Sequence, residues 1–570
     1  MYFIFDTNMT NKDIIKGFRL LTQLMELHGA NPFKTRAYST AIQSMENAGT
    51  PLISLDNDQL IDLGFSKTMA EKLTTWFSSG VLSDLEDLKE KTPSGVIDMM
   101  ALSGIGPKKI AALWKELDID SLDKLQVACE ENKVQTLKGF AAKTEAKILQ
   151  QVHFLKENKK RLHYAKAEVI AKNISQFLDE KSCQHQWAGD LSLKREVVDT
   201  LSFTVKTEST SALKTVLEGM DQLKMDEQGS TPLTLRANTI DSDTPVEFYI
   251  TSEEEYIKIA FQKSAAPEHL ALRGSDDHPT LRDVLNKTSY SSEEDIYNNA
   301  GLPFFPVELR EGEEYVGDFV KKGIPTLVED QDLKGSLHNH SDYSDGQNTL
   351  REMAVFLKEK GYEYLGISDH SKTAFYANGL SVERIEQQHK EIDELNKELA
   401  PFKIFKGIES DILNDGSLDY DDDVLASFDF VVSSIHSPLT MDKPTATARL
   451  IKAIEHPATT ILGHPTGRLL LRREGYPIDH KAVIDACAKH GVIIEINSSP
   501  WRLDLDWRWA KYALDQGVKL SLNPDAHAVE GYDDMHFGLL VGRKAGLTKE
   551  MTLNAMSSSE IEEYFTSRKK

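Results

Sequence analysis

His338 and His340 stand one residue apart in GSLHNHSDYSDG (335–346), after a short apolar run. Side chains alternate faces along an extended chain, so both imidazoles point the same way and can share one metal ion. The pattern of an apolar run ending in a potential ligand recurs downstream. Run 364–368 leads to Asp369 and His370, 404–408 to Glu409, 428–435 to His436, 460–463 to His464, 492–494 to Glu495 and Asn497, and 520–524 to Asp525 and His527. Imidazole and carboxylate without thiolate suit zinc, manganese or iron rather than calcium. Ions held together generate a nucleophile at neutral pH and neutralise a leaving oxygen, which is the chemistry of phosphoester hydrolysis. Arg468 in GHPTGR and Arg502 in SPWRLDL can grip phosphate oxygens bidentately, or form salt bridges instead, for instance to Asp504. Asp369 reads as an orienter of His370 or a structural acceptor.

Elements must bring these residues together across almost two hundred positions. The apolar runs alternate with amphipathic helical segments such as 383–399, the pattern of parallel strands covered by helices. In a barrel of parallel strands the carboxyl ends gather on one face, so ligands distant in sequence converge there.

The front of the chain carries different signals. From 11 to about 155 apolar residues recur at helical spacing, beginning with Ile14, Phe18, Leu21, Leu24 and Met25. In LSGIGPKKIAALWKEL (102–117), Gly104 and Gly106 let backbone approach a phosphate at a helix start, and Lys108 and Lys109 add charge there. This is a helix-hairpin-helix signature, which holds DNA by its backbone without reading sequence, and GIGPKK by itself reads equally as an ordinary helix–turn–helix corner. Degraded copies begin at Gly64 and Gly139, with Ser66 and Ala142 standing for the second glycine. Lys34, Arg36 and Tyr38 open a further helix, on a surface suited to a DNA end or simply to solvent.

Composition sets limits on these readings. A chain of 570 residues exceeds one core, and a net charge of -24 argues against a nucleic-acid surface along its whole length. The deficit lies behind the front region: residues 1–163 hold 21 basic and 21 acidic residues, leaving 45 and 69 for the rest. Cys129, Cys183 and Cys487 are too few and scattered for a disulfide framework and suggest a reducing, cytoplasmic compartment. No apolar run has the roughly 18 residues of a membrane span, and residues 1–5 lack the basic flank of a signal peptide.

Taken with EEDIYNNAGLPFFPVELREG (293–312), the front half resembles a bacterial family X DNA polymerase. The resemblance implies a small helical DNA-end-binding domain (1–85), a helix-hairpin-helix fingers region (86–160), an α+β nucleotidyltransferase-like palm and thumb (161–312) and DNA ends, gaps or 3′ termini as partners. It also places Lys72 where the family can carry a lyase lysine. The palm departs from the family in AGDLSLKREVVDTLSFTV (188–205): Thr200 and Ser202 fall on the paired aspartates, Asp190 on a triphosphate-binding serine, and Glu247 alone remains at the third carboxylate position. One carboxylate does not hold two ions, so polymerisation is expected to be lost.

After an acidic linker at 313–332, residues 333–570 resemble the polymerase and histidinol phosphatase (PHP) family, through SLHNHSDYSDG, ISDHS, GIESDIL, SSIHS, GHPTGR and PDAH. That resemblance implies a distorted seven-stranded α/β barrel binding up to three divalent ions. His338, His340, Glu409 and Asp525 would hold one, Glu409, His436 and His464 a second, and Asp345, His370 and His527 a third. The resulting expectation is a metal-dependent 3′-5′ exonuclease of DNA repair. The alternatives are an active polymerase, a small-molecule phosphatase and a non-catalytic DNA-end scaffold.

Overall fold

The structure is a computed structural model that describes residues 9–569 apart from Thr10, Asn47, Gly49, Ser103, Lys287 and Thr288. Residues 1–5, read above for a signal peptide, lie outside the described residues. Two compact units meet in sequence at Lys159 and Lys160.

The first unit is helical. The stripe Ile14, Phe18, Leu21, Leu24 and Met25 is buried along the helix Asn11–Leu27, as its spacing requires. Gly17 lies so close to Trp76 that a Cβ would sit 2.7 Å from the indole. The segments expected as separate domains at 1–85 and 86–160 share one apolar core running from Met9 to Val152. Each helix-hairpin-helix turn keeps its first glycine at positive φ, +92° at Gly64, +80° at Gly104 and +90° at Gly139, where a side chain would be strained. The residue before each following helix is Ser66, Gly106 or Ala141, so the third copy's second position is Ala141, one residue before the Ala142 expected.

The second unit begins with β1 (Leu162–His163), β2 (His185–Ala188), β3 (Val197–Val198), β4 (Leu201–Lys206), β5 (Leu223–Thr231), β6 (Thr234–Thr239) and β7 (Pro245–Thr251). β1 and β3 form a short antiparallel ladder, and the other five make a sheet in the order β2-β4-β7-β6-β5. β4 and β7 run parallel with Ser202 opposite Glu247, so the palm-like register is intact although its residue types are not.

Residues 313–332 are not an open linker. They contain the helix Glu313–Lys322, with Val316 and Phe319 buried and Phe319 packed among Phe305, Leu309 and Leu327. The helical spacing of Tyr315, Val316, Phe319 and Val320 outweighs the acidic residues and Gly323 that suggested a break.

Seven parallel strands follow in strict order: β8 (Gly335–Ser336), β9 (Tyr364–Ile367), β10 (Lys403–Asp411), β11 (Phe430–Ser434), β12 (Ile461–Leu462), β13 (Ile493–Asn497) and β14 (Leu520–Asn523). A bridge between Asn339 and Ala526 links the continuations of the first and last strands, nearly closing the barrel. Its amino end is apolar: Phe430, Ile461 and Ile493 begin their strands and pack with Phe565 of the helix Ser558–Arg568, which plugs that end.

The two sheets are joined by buried charge. The ammonium of Lys544, on the barrel helix Met535–Lys544, meets the Glu311 carboxylate and the Leu193 carbonyl with no side-chain exposure. Arg543 donates to Glu308 at 2.9 Å, and Arg195 reaches the other Glu311 oxygen at 3.0 Å.

Candidate metal centre

Glu409, near the end of β10, is the hub of the barrel's carboxyl face. Its Oε1 lies 3.3 Å from His338 Nε2, 3.2 Å from His436 Nε2 and 3.1 Å from His464 Nε2, and its Oε2 lies 2.9 Å from His370 Nδ1. His340 Nε2 is 3.0 Å from Asp525 Oδ1, and Asp345 Oδ1 is 3.6 Å from His370 and 3.4 Å from His527. All nine residues singled out as ligands thus converge. Among the described residues, four sets have ligand atoms within 4.8 Å of one another: His340, Asp345, His370 and His527; His338, His464 and Asp525; His338, His340 and Glu409; and His370, Glu409 and His436. Relative to the family-implied sets, His340 stands also with the Asp345 group, His464 groups with His338 and Asp525, and His370 takes the place expected for His464 beside Glu409 and His436. Two non-glycine residues of the cluster have positive φ, His464 at +21° and Asp525 at +54°, backbone strain concentrated at the site.

The residues fit divalent ions. His338 Nε2, His340 Nδ1, His370 Nδ1, His464 Nδ1 and Glu409 Oε2 are buried without a hydrogen-bond partner. So many unsatisfied donor atoms around one carboxylate are costly unless a cation completes them. Electrostatics agree. Burial alone would raise the Glu409 carboxyl, yet His436, His338 and His370 hold it well below the carboxylate range. Burial would lower His436, but Glu409 and Asp411 push it up to about 10, and Asp345 and Asp525 push His527 to about 9. Burial beside His527 and His370 depresses His340 to about 3.

Supporting residues fix the imidazoles. His338 Nδ1 lies 2.7 Å from Glu495, whose other oxygen accepts from His464 N at 3.1 Å, so Glu495 orients ligands rather than joining them. Asp411 meets His436 Nδ1. Its signal was available, since Asp411 follows Glu409 by two residues on the same strand face. Asp369 accepts from Ser341 N and Oγ, Ser344 Oγ and Gln388, an acceptor that shapes the 341–344 turn.

The two arginines separate. Arg468 is committed to protein: Nε donates to the Arg502 carbonyl at 2.8 Å, Nη1 to Asp506 at 2.9 Å and Nη2 to the Leu503 carbonyl, with Glu196 at 3.8 Å. It therefore does not act as a phosphate grip, and its carboxylate partner is Asp506 rather than Asp504, which accepts from Thr466 N and Gly467 N. Arg502 stays partly exposed, its Nε 3.6 Å from Asp525.

The palm positions do not fit ions. Thr200 is half-buried and Ser202 buried. Glu247 accepts from Arg236 Nε at 2.8 Å and Tyr249 Oη at 2.7 Å, so both oxygens are taken. Asp190 accepts from Arg195 Nη1 and from Asp199 N, both at 2.9 Å, and Asp199 pairs with Arg161.

In the first unit Lys34, Arg36, Gly104, Gly106 and Lys108 are exposed, whereas Lys109 is half-buried with its ammonium 5.3 Å from the Phe140 ring centre. Tyr38 is buried, donating to Asp84 at 2.8 Å, and so does not face a DNA end. Lys72 pairs with the same Asp84. Burial would lower its pKa, but Asp84 and Tyr38 raise it, the reverse of what a nucleophilic amine needs.

A helix-hairpin-helix domain model matches residues 9–82, a SAM-like helix-hairpin-helix tandem 96–153, and a PHP domain model 336–499. The DNA polymerase/3′-5′ exonuclease PolX of Bacillus subtilis (strain 168) is 35% identical over 569 residues, covering 98% of this chain and 99% of that protein. A probable phosphatase of Thermoanaerobacter sp. (strain X514) is 28% identical over 250 residues, 41% of this chain and 94% of its own. One of Shewanella sediminis (strain HAW-EB3) is 29% identical over 216 residues, 36% and 83% respectively.

Proposed function

From a chain that belongs to the DNA polymerase/3′-5′ exonuclease PolX family, we infer a metal-dependent phosphodiesterase that removes nucleotides from DNA 3′ ends in repair and has lost polymerisation. The observation that carries this reading is the cluster of buried, unpartnered imidazole and carboxylate atoms that includes Glu409, against a palm in which both oxygens of Glu247 are taken.

His338, His340, Asp345, His370, Glu409, His436, His464, Asp525 and His527 would hold up to three ions, with zinc, manganese or iron suited to the donors. Such ions supply an activated water and neutralise charge on the leaving oxygen. Glu409 spans two ligand groups and fixes their separation. Glu495 and Asp411 hold the His338 and His436 rings so that Nε2 faces the centre of the cluster. Arg502 grips a phosphate oxygen of the scissile group. Gly104, Gly106, Lys108, Lys109, Lys34 and Arg36 hold DNA without sequence preference, and Lys72 serves as an ion-pair partner rather than a lyase nucleophile. Among the described residues no helix is long and apolar enough to cross a membrane, and we place the protein in the cytoplasm.

A small-molecule phosphatase is the second reading, favoured by the probable-phosphatase relatives of the C-terminal part. To separate the two, a 5′-labelled, 3′-recessed duplex is incubated with manganese, with and without deoxynucleotides, beside His338→Ala. Shortening by the wild type and none by the variant is expected. Extension would overturn loss of polymerisation, shortening by His338→Ala would overturn the site, and no change in either would return the phosphatase or scaffold reading.

A further inference from the structure

We propose that Thr373, held by Asp419, is a positioning residue for the ion that His370, Glu409 and His436 would share, and sets the affinity of that ion separately from its neighbours. The proposal rests on the metal-centre reading above. The three ligands stand at the carboxyl ends of the adjacent strands β9, β10 and β11, and among the described residues His436 belongs to this group alone. Asp411 is the link to His436. One of its oxygens meets His436 Nδ1, which leaves Nε2 facing Glu409 at 3.2 Å. Imidazole and carboxylate both turn easily about their last torsion, so a single contact fixes neither plane. The second Asp411 oxygen accepts from Thr373 Oγ1 at 2.8 Å. With a partner on each oxygen the carboxylate is held, and the ring with it.

The aim of that hydroxyl is itself prepared. Directly after His370, three consecutive amides are taken by groups of the 409–420 stretch: Ser371 N donates to the Glu409 carbonyl at 3.0 Å, Lys372 N to Tyr420 Oη at 3.1 Å and Thr373 N to Asp419 Oδ2 at 2.7 Å. Asp411 N returns a bond to Ser371 Oγ at 2.9 Å. Asp419 is 4% exposed, and its own amide donates to Ser410 Oγ at 3.1 Å, so the carboxylate that holds Thr373 is fixed in turn. The Thr373 hydroxyl has one proton and two carboxylate oxygens in reach, Asp411 at 2.8 Å and Asp419 at 3.0 Å. Asp419 already has the Thr373 amide, which leaves the proton for Asp411. The segment that carries one ligand, His370, thus reaches across β10 to steer another, His436. His338 has a separate orienter in Glu495, so the chain through Thr373 bears on a single ion.

The test titrates manganese by calorimetry into the full chain, stripped of metal with EDTA and dialysed. Thr373→Val keeps the shape of the side chain and removes its hydroxyl. It is expected to weaken one class of site about tenfold and to leave the others within about twofold. Thr373→Ser, which keeps the hydroxyl, should bind as the wild type does. In an Asp411→Asn background Thr373→Val should cost less than about twofold more, because the threonine acts through that carboxylate. Unchanged affinity in Thr373→Val, the same loss in Thr373→Ser, equal weakening of every class of site, or a full further loss on top of Asp411→Asn would each overturn the proposal. If the wild type takes up no manganese, the metal reading fails. The positioning is then judged in metal-free crystals of Thr373→Val: a His436 ring turned away from Glu409 supports it, and a ring held in place overturns it.

Discussion

The palm-like sheet and the barrel each present acidic side chains where a metal site is expected, yet only the barrel leaves its candidate ligands unsatisfied. In the palm, Glu247 is closed by Arg236 and Tyr249, and Asp190 by Arg195 and the Asp199 amide. In the barrel, Glu409 has four imidazoles within 3.3 Å and still an oxygen without a hydrogen bond. Unpaired groups concentrated at one point imply a ligand that completes them, so chemistry is marked less by which residues are present than by which remain uncommitted together.

The largest test of this contrast is Glu409→Gln, expected to lower 3′-5′ hydrolysis about 10³-fold or more while the far-ultraviolet circular dichroism is kept. Residual activity within tenfold would erase the distinction between the two centres. Lys544→Met comes next. It leaves the Leu193 carbonyl and one Glu311 oxygen unsatisfied and should cost the second unit about 3 kcal/mol in urea unfolding. Acid sharpens the same point. Burial would raise Glu311, but Lys544 and Arg195 hold its pKa below the usual value. Its stabilisation is therefore present above the ordinary carboxylate pKa and is lost as pH falls through its own lower one, and Glu311→Gln should flatten that acid limb. Asp411→Asn should weaken metal binding 10- to 100-fold by calorimetry through loss of the His436 orienter, about the range for such partners. Arg236→Ala in the palm should change stability by only about 0–1 kcal/mol and leave hydrolysis untouched, because the ion pair it breaks is partly exposed.

Much of this contrast was legible beforehand because it is written in local pattern. Strand ends with histidine or carboxylate, and a glycine at each hairpin turn, depend on a few neighbouring residues. What escaped depends on distant partners. Arg468 in GHPTGR offers five donors in any context, and only the approach of Asp506, Glu196 and two carbonyls decides that none is left for phosphate. Tyr38 has the same difficulty, since burial against Asp84 cannot be seen from PFKTRAY. At 313–332 the acidic residues and turn signals concealed a helical apolar spacing that a closer count would have found.

The seam between sheet and barrel bears on how this chain can change over generations. Lys544 and Arg543 find their opposite charges at Glu311 and Glu308, both contributed by the segment whose catalysis we infer to be lost. Thr200 and Ser202 take no part in this seam, whereas drift at those two glutamates deprives a barrel cation of its carboxylate. Selection on the nuclease would therefore preserve the palm's outer face independently of the palm's own catalysis, and a gene shortened at residue 332 would inherit both cations without these partners.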